Sequence, residues 1–298
     1  MKVKYTFAQF NEQFPDDATC LQYLFDQNFP NGGTCAKCGK SDCFHPVTGR
    51  KCYACAWCGH QVSPTAGTIF HKSSTSLKSW FFAIFLMTAS RNGVSAKELE
   101  RQVGVTYKTA FRMMHQIRQL MNETPALFTK TVEADETFIG GLEKNKHRSK
   151  RKHAGTGGTG KTPVIGVLER GGDIVVKSAP DVSSDTLVTN IAKTTRRGAM
   201  VCTDEFRSYR PLSALGFRHE TVCHSRGQYV VGDIHTNGIE SFWAQLKRSI
   251  NGTYHHVSPK HLQRYLNEFS YRHNRRHSAA PMFCQMIATA GEQRDSAL

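Results

Sequence analysis

The chain has 298 residues, with 39 Lys or Arg against 24 Asp or Glu, a formal charge of +15. Such an excess directs attention to a polyanionic partner, of which nucleic acid is the commonest. A hydrophobic content of 39% with 10% aromatics excludes a disordered or low-complexity chain and leaves room for two or three modules, the later ones with a core of their own.

The opening MKVKYTFAQF has no apolar core and no cleavage site of the secretory kind. The longest apolar run, residues 80–89, falls short of the ~20 residues that cross a bilayer, so no membrane partner is expected and a cytoplasmic protein is. Ten cysteines in such a chain indicate metal or free thiols rather than a disulfide framework.

Seven of those cysteines precede residue 60, and four form Cys35-Ala-Lys-Cys38-Gly39 and Cys55-Ala-Trp-Cys58-Gly59. Each Cys-x-x-Cys-Gly is a zinc knuckle, because the glycine lets the chain turn back and both thiolates reach one tetrahedral ion. One structural Zn²⁺ is therefore expected on Cys35, Cys38, Cys55 and Cys58, closed to substrate. Cys52-Tyr-Ala-Cys55 has the same spacing, but only the pair Cys55 and Cys58 carries the trailing glycine.

Residues 77–90 read as an apolar helix. Ser95 followed by Glu98 is a capping-box pattern that opens a second helix, Gly104 allows a tight turn, and Thr106 caps a third over residues 107–121. Two short helices joined through a glycine match the DNA-reading helix-turn-helix, although an ordinary helical hairpin has the same pattern. In the first case Tyr107, Lys108, Thr109 and Arg112 would face the DNA.

Past residue 130 the pattern alternates like a strand through Glu133-Ala-Asp135-Glu136. Residues 144–152 hold six Lys or Arg, among them Lys150, Arg151 and Lys152, and lead into Gly155-Thr-Gly-Gly-Thr-Gly160-Lys161-Thr162. That run fits the phosphate-binding loop pattern, which belongs after a buried strand and before a helix. Here a basic loop precedes it and a β-type run follows, so ATP is not expected, and the basic residues serve either as DNA-backbone contacts or as a solvated loop. Residues 163–168 and 174–177 read as a hairpin, 184–196 as a helix, and 200–205 as a strand ending on Asp204.

Residues 237–250 form an amphipathic helix with Glu240 and, two turns later, Lys247. Two strand-borne aspartates and a helix-borne glutamate can meet at one end of a mixed sheet. Three converging carboxylates hold two Mg²⁺ or Mn²⁺ ions about 3.5–4 Å apart for phosphoryl transfer. Singly, such carboxylates are usually solvated; their order and spacing set them apart. Residues 261–277 read as a basic helix whose Arg272 and Arg275 either grip phosphate or form its solvated end.

The densest motifs, Glu133-Ala-Asp135-Glu136-Thr-Phe-Ile-Gly-Gly141 and His235-Thr-Asn237-Gly-Ile-Glu240-Ser-Phe-Trp243-Ala-Gln-Leu-Lys247, resemble the zinc-ribbon Asp-Asp-Glu transposases of bacterial insertion sequences. Further matches run from Phe14-Pro-Asp-Asp17 to Arg272-His-Asn274-Arg275, nearly the whole chain. The resemblance implies a multidomain α/β chain: an N-terminal helix and zinc ribbon over residues 1–72, a helical helix-turn-helix segment over 73–124, and a retroviral-integrase-like, RNase H-like domain over 125–298 with a basic loop at 142–162. It also implies metal ligation by Asp135, Asp204 and Glu240, with Asn237 a secondary candidate for the third place. Cutting at element ends and joining 3′-hydroxyls to new DNA would follow, on double-stranded terminal repeats and target DNA, in a homo-oligomer assembled on that DNA. A zinc-ribbon transcription regulator, or an RNase H-like nuclease without strand transfer, are the other functions these features allow.

Overall fold

The computed structural model describes residues 5–141, 145–151, 158–223, 227–228 and 230–292. Their described parts fall into two compact units, one from Met1–Leu120 with His277–Leu298 and the other Met121–Arg276. No helix among the described residues is long and apolar enough to cross a membrane.

In the first unit, α1 (Phe7–Gln13) opens on a capping box between Thr6 and Gln9, and α2 (Asp17–Asn28) opens on Asp16, which accepts the Thr19 N–H. A small antiparallel ribbon follows: β1 (Phe44–Pro46), β2 (Tyr53–Cys55) and β3 (Gln61–Val62). The helix α3 (Leu77–Ala89) buries Leu77, Trp80, Phe81, Ala83, Ile84, Phe85 and Met87, which point around most of its circumference. A helix apolar on nearly all sides must be surrounded. It packs against α2, α4 (Ala96–Val103), α5 (Tyr107–Leu120) and α9 (Met282–Gly291).

The predicted helix-turn-helix signals are used locally. The Ser95 hydroxyl accepts the Glu98 N–H at 3.1 Å, Gly104 ends α4 at φ 73°, and Thr106 accepts the Thr109 N–H at 3.3 Å. The expectation of one domain from residue 125 onward needs correction at α9. Phe283 packs among Tyr5, Phe10, Phe14 and Phe85 with ring centroids 4.8–6.0 Å apart, because α3 presents more apolar surface than α2, α4 and α5 cover.

The second unit is a five-stranded mixed sheet in the order β6-β5-β4-β7-β8. Here β4 (Val132–Ile139), β5 (Thr162–Glu169) and β6 (Ile174–Ser178) form an antiparallel meander, while β7 (Met200–Thr203) and β8 (Arg218–Thr221) run parallel to β4. This is the RNase H-like arrangement. One face packs on α6 (Ser184–Thr194) and the turn containing Tyr209 and Leu212; the other packs on α7 (Asn237–Ser249) and α8 (Pro259–Asn274). The hairpin β9 (Val230–Val231) with β10 (Ile234–His235) and the 3-10 stretch Arg207–Leu215 fill the interval before α7, which has no legible periodicity. Helix α8 starts at Pro259, earlier than the periodicity suggests, since proline is well suited to the first helical position.

Candidate functional site

The two knuckles fold alike. Gly39 and Gly59 adopt φ 70° and 68°, and each donates its N–H to the first cysteine of its knuckle, Cys35 and Cys55. The thiols of Cys35, Cys38, Cys55 and Cys58 lie within 4.8 Å of one another, Cys35 to Cys58 and Cys38 to Cys55 at 3.6 Å. Burial alone would raise the Cys55 thiol, but the N–H groups of Cys58 and Trp57, together with the thiols of Cys43 and Cys38, outweigh it and bring it down to about 6. Four converging sulfurs fit one tetrahedral zinc. Cys43 stands 3.4 Å from Cys55 and donates to the Lys40 carbonyl, whereas Cys52 turns away to Gln61.

In the second unit, alternation along β4 sends Glu133 and Asp135 to the α7 face and Glu136 to the opposite face, where the Tyr209 hydroxyl donates to it at 2.6 Å. The parallel register Glu133↔Cys202, continued two residues, brings Asp204 level with Asp135 at the end of β7. Oxygens of Asp135, Glu136 and Asp204 lie within 4.8 Å of one another. Burial first, then the neighbouring Glu136 and Asp204, push the Asp135 carboxyl up to about 7, and burial also raises Glu136. A hard divalent cation would remove both penalties, and an all-oxygen donor set suits Mg²⁺ or Mn²⁺.

Glu240 is not in that group. It sits on the first turn of α7, accepting the Thr236 hydroxyl at 2.7 Å, while exposed Asn237 stands one turn earlier. One turn after Glu240, Trp243 donates its indole N–H to Asp135 at 2.9 Å. Glu136, which sequence reasoning passed over, joins because Asp204 lies at a strand end reachable from both faces; an Asp-Glu doublet beside a terminating strand was the available signal. The indole lies flush on the sheet over Gly166, the β5 partner of Asp135, where an added Cβ would lie 2.7 Å from the Trp243 ring. Gly166→Ala is therefore expected to destabilise the unit by about 1–3 kcal/mol in denaturant unfolding.

Other expected contacts are distributed as follows. Tyr107, Lys108 and Arg112 are exposed on α5, with Lys97 5.4 Å from the Tyr107 ring, and Thr109 is half-buried against Thr106. Lys161 and Lys247 line one cavity of about 440 Å³ with Asn145, His255 and His256. A strand, β5, follows Lys161 directly, unlike the helix of a phosphate-binding loop. Arg151 is exposed, with its Nε on the Lys146 carbonyl; Lys152 lies outside the described residues, and Lys150 is described only as part of a short 3-10 turn. Arg272 needs correction as a phosphate contact: it is 8% exposed and held by buried Glu268 at 2.5 Å. Arg275 pairs with Glu123 at 2.5 Å, so its charge is already engaged.

The chain thus joins a four-thiol ribbon and two short helices around a glycine turn to an RNase H-like sheet with clustered carboxylates, the class of fold and site that the comparisons also return. Residues 128–274 match the family described as ISXO2-like transposase domain, and residues 15–61 match the transposase zinc-ribbon domain. A protein of Halobacterium salinarum described as an uncharacterized protein in transposable element ISH50 is 30% identical over 230 residues, 74% of this chain and 77% of that relative. The chain belongs to this family of insertion-sequence transposases. Among solved structures, a simian T-cell lymphotropic virus intasome with PP2A regulatory subunit B56 gamma aligns at TM-score 0.29 and 14% identity, covering 64% of each chain. The Mos1 strand transfer complex aligns at TM-score 0.28 and 10% identity, covering 72% of this chain and 79% of that one.

Proposed function

We propose that this transposase binds the ends of its insertion sequence and catalyses Mg²⁺- or Mn²⁺-dependent strand cleavage followed by 3′-hydroxyl strand transfer, with Asp135, Asp204 and Glu240 as metal ligands. The observation that carries it is the meeting of Asp135 and Asp204 at one end of the sheet, with Trp243 of the Glu240-bearing helix bonded to Asp135. Bound cations would supply activation of the attacking oxygen and stabilisation of the leaving one on phosphorus.

The chain's own side chains do the rest. Trp243 orients Asp135, and Tyr209 holds Glu136 beside it. Lys161 and Lys247 offer two cations to a backbone phosphate at one cavity, and Tyr107, Lys108 and Arg112 offer an exposed face to a major groove. Arg151 would add a backbone contact from the basic loop, and one structural Zn²⁺ per chain would hold the ribbon for end recognition. The 3′-hydroxyl attacks a phosphodiester directly, so no nucleotide is required. Action on bacterial DNA in the cytoplasm, in a homo-oligomer on the paired ends, completes the reading.

Purified protein with Mg²⁺ and a labelled duplex carrying the element's ends is expected to give nicked strands and then products joined to a second duplex. A transcription regulator would shift the duplex and leave it intact. A nuclease lacking strand transfer would release ends that are never joined.

A further inference from the structure

We propose that Glu133 is a positioning residue that clamps the N-terminus of α7 to the strand bearing Asp135 and thereby sets where Glu240 stands, a role that rests on reading Glu240 as a metal ligand. Glu133 is 1% exposed, so its carboxylate needs donors inside the fold. It has them on two sides. Oε2 accepts the N–H of Ile239, third residue of α7, at 3.0 Å, and Oε1 accepts Nε of Arg170 at 2.9 Å. His235 Nδ1 stands 3.1 Å from that same Oε1, within ion-pair distance.

The Ile239 N–H is one of the amides a helix leaves unpaired in its first turn, where the helix dipole also favours an anion. Arg170 goes on to the carbonyls of Asp233 and His235, tying the segment that leads into α7 to the same carboxylate. Contact is close: a Cβ on Gly238 would lie 2.8 Å from Glu133 Oε2 and 2.7 Å from Leu168 Cδ2, so the carboxylate and the Leu168 methyl would have to give way to it.

Two residues further along β4, Asp135 accepts the indole of Trp243. Strand positions i and i+2 are about 6.6 Å apart, and helix positions i and i+4 are about 6 Å apart along the axis. Glu133 and Asp135 therefore grip Ile239 and Trp243 in matching steps. A helix held at two points on one side can neither roll nor slide. Glu240 lies between those points, beside the first of them.

Two variants probe the clamp from opposite sides. Glu133→Gln removes the charge and keeps the shape; Gly238→Ala keeps the Glu133 charge and Arg170 but sets a methyl against the carboxylate where it holds the Ile239 N–H. Full-length zinc-loaded protein would be titrated with Mn²⁺, following free Mn²⁺ by electron paramagnetic resonance, beside wild type and Glu240→Gln. Mn²⁺ affinity is expected to fall about 10–100-fold in both variants, as for residues that hold a metal's ligands, and to fall in Glu240→Gln as well. The effect should appear well below the thermal unfolding of each variant, with nicking slowed in parallel and DNA binding kept.

Wild-type Mn²⁺ affinity in folded Glu133→Gln and Gly238→Ala, with Glu240→Gln weakened, would overturn the clamp. If Glu133→Gln fails to fold, Gly238→Ala decides alone. Unchanged affinity in Glu240→Gln would remove both the clamp and that ligand. Wild type that never nicks, with the Mn²⁺ losses present, would uphold the clamp and sink strand transfer.

Discussion

Asp135→Asn and Asp204→Asn are each expected to lose nicking and joining by at least ~10²–10³ in rate, the size of losing one electrostatic element of a preorganised site. Asparagine can still accept the Trp243 indole at position 135, so the loss there would come from charge rather than from unfolding. DNA affinity should remain, because it comes mostly from phosphate contacts elsewhere. Gel-resolved cleavage with Mg²⁺, beside a mobility shift on the same duplex, measures both. An Asp204→Asn protein that cut normally would remove the assignment.

The same assay tests the third ligand. Glu136 lies in the carboxylate group and Glu240 does not, so Glu136→Gln and Glu240→Gln should be compared directly. If Glu240→Gln is inactive and Glu136→Gln retains activity, the helix delivers the ligand when cations bind. The reverse result would make Glu136 the third ligand. Loss in Asn237→Ala with activity kept in Glu240→Gln would move the ligand to the start of α7.

Cys38→Ser and Cys58→Ser should each lose the zinc ion and, with it, the fold of the ribbon. The ribbon's strands are three, three and two residues long, too little to supply a core. Metal binding contributes roughly 10–16 kcal/mol in comparable zinc-finger peptides, so almost all of the ribbon's order would depend on it. Cys52→Ser should keep the ion, since its thiol faces Gln61. Metal analysis with circular dichroism would read the outcome, and loss of zinc in Cys52→Ser alone would move the second knuckle to Cys52 and Cys55. DNA-end recognition should suffer more from zinc loss than the carboxylate site does.

Features controlled by short-range chemistry can be read from the order of residues alone. The knuckles were legible because Cys-x-x-Cys-Gly closes on itself through one N–H to the first cysteine's carbonyl. The two short helices on either side of Gly104 were legible because Ser95, Gly104 and Thr106 act within a turn of their own position. Strands β4 to β7 and helices α6 to α8 followed from hydrophobic period, which states which face is buried. Period does not state what covers that face. So it was left to tertiary packing to return α9 to α3 and to form β8 and the β9–β10 hairpin in a stretch with no clear period. It likewise decided that Glu136 meets Asp135 from across the sheet, and that Glu133 is the carboxylate under the end of α7. The buried Glu133 carboxylate is placed by partners more than 30 residues away in sequence, Arg170 and Ile239, and no local pattern encodes those pairings.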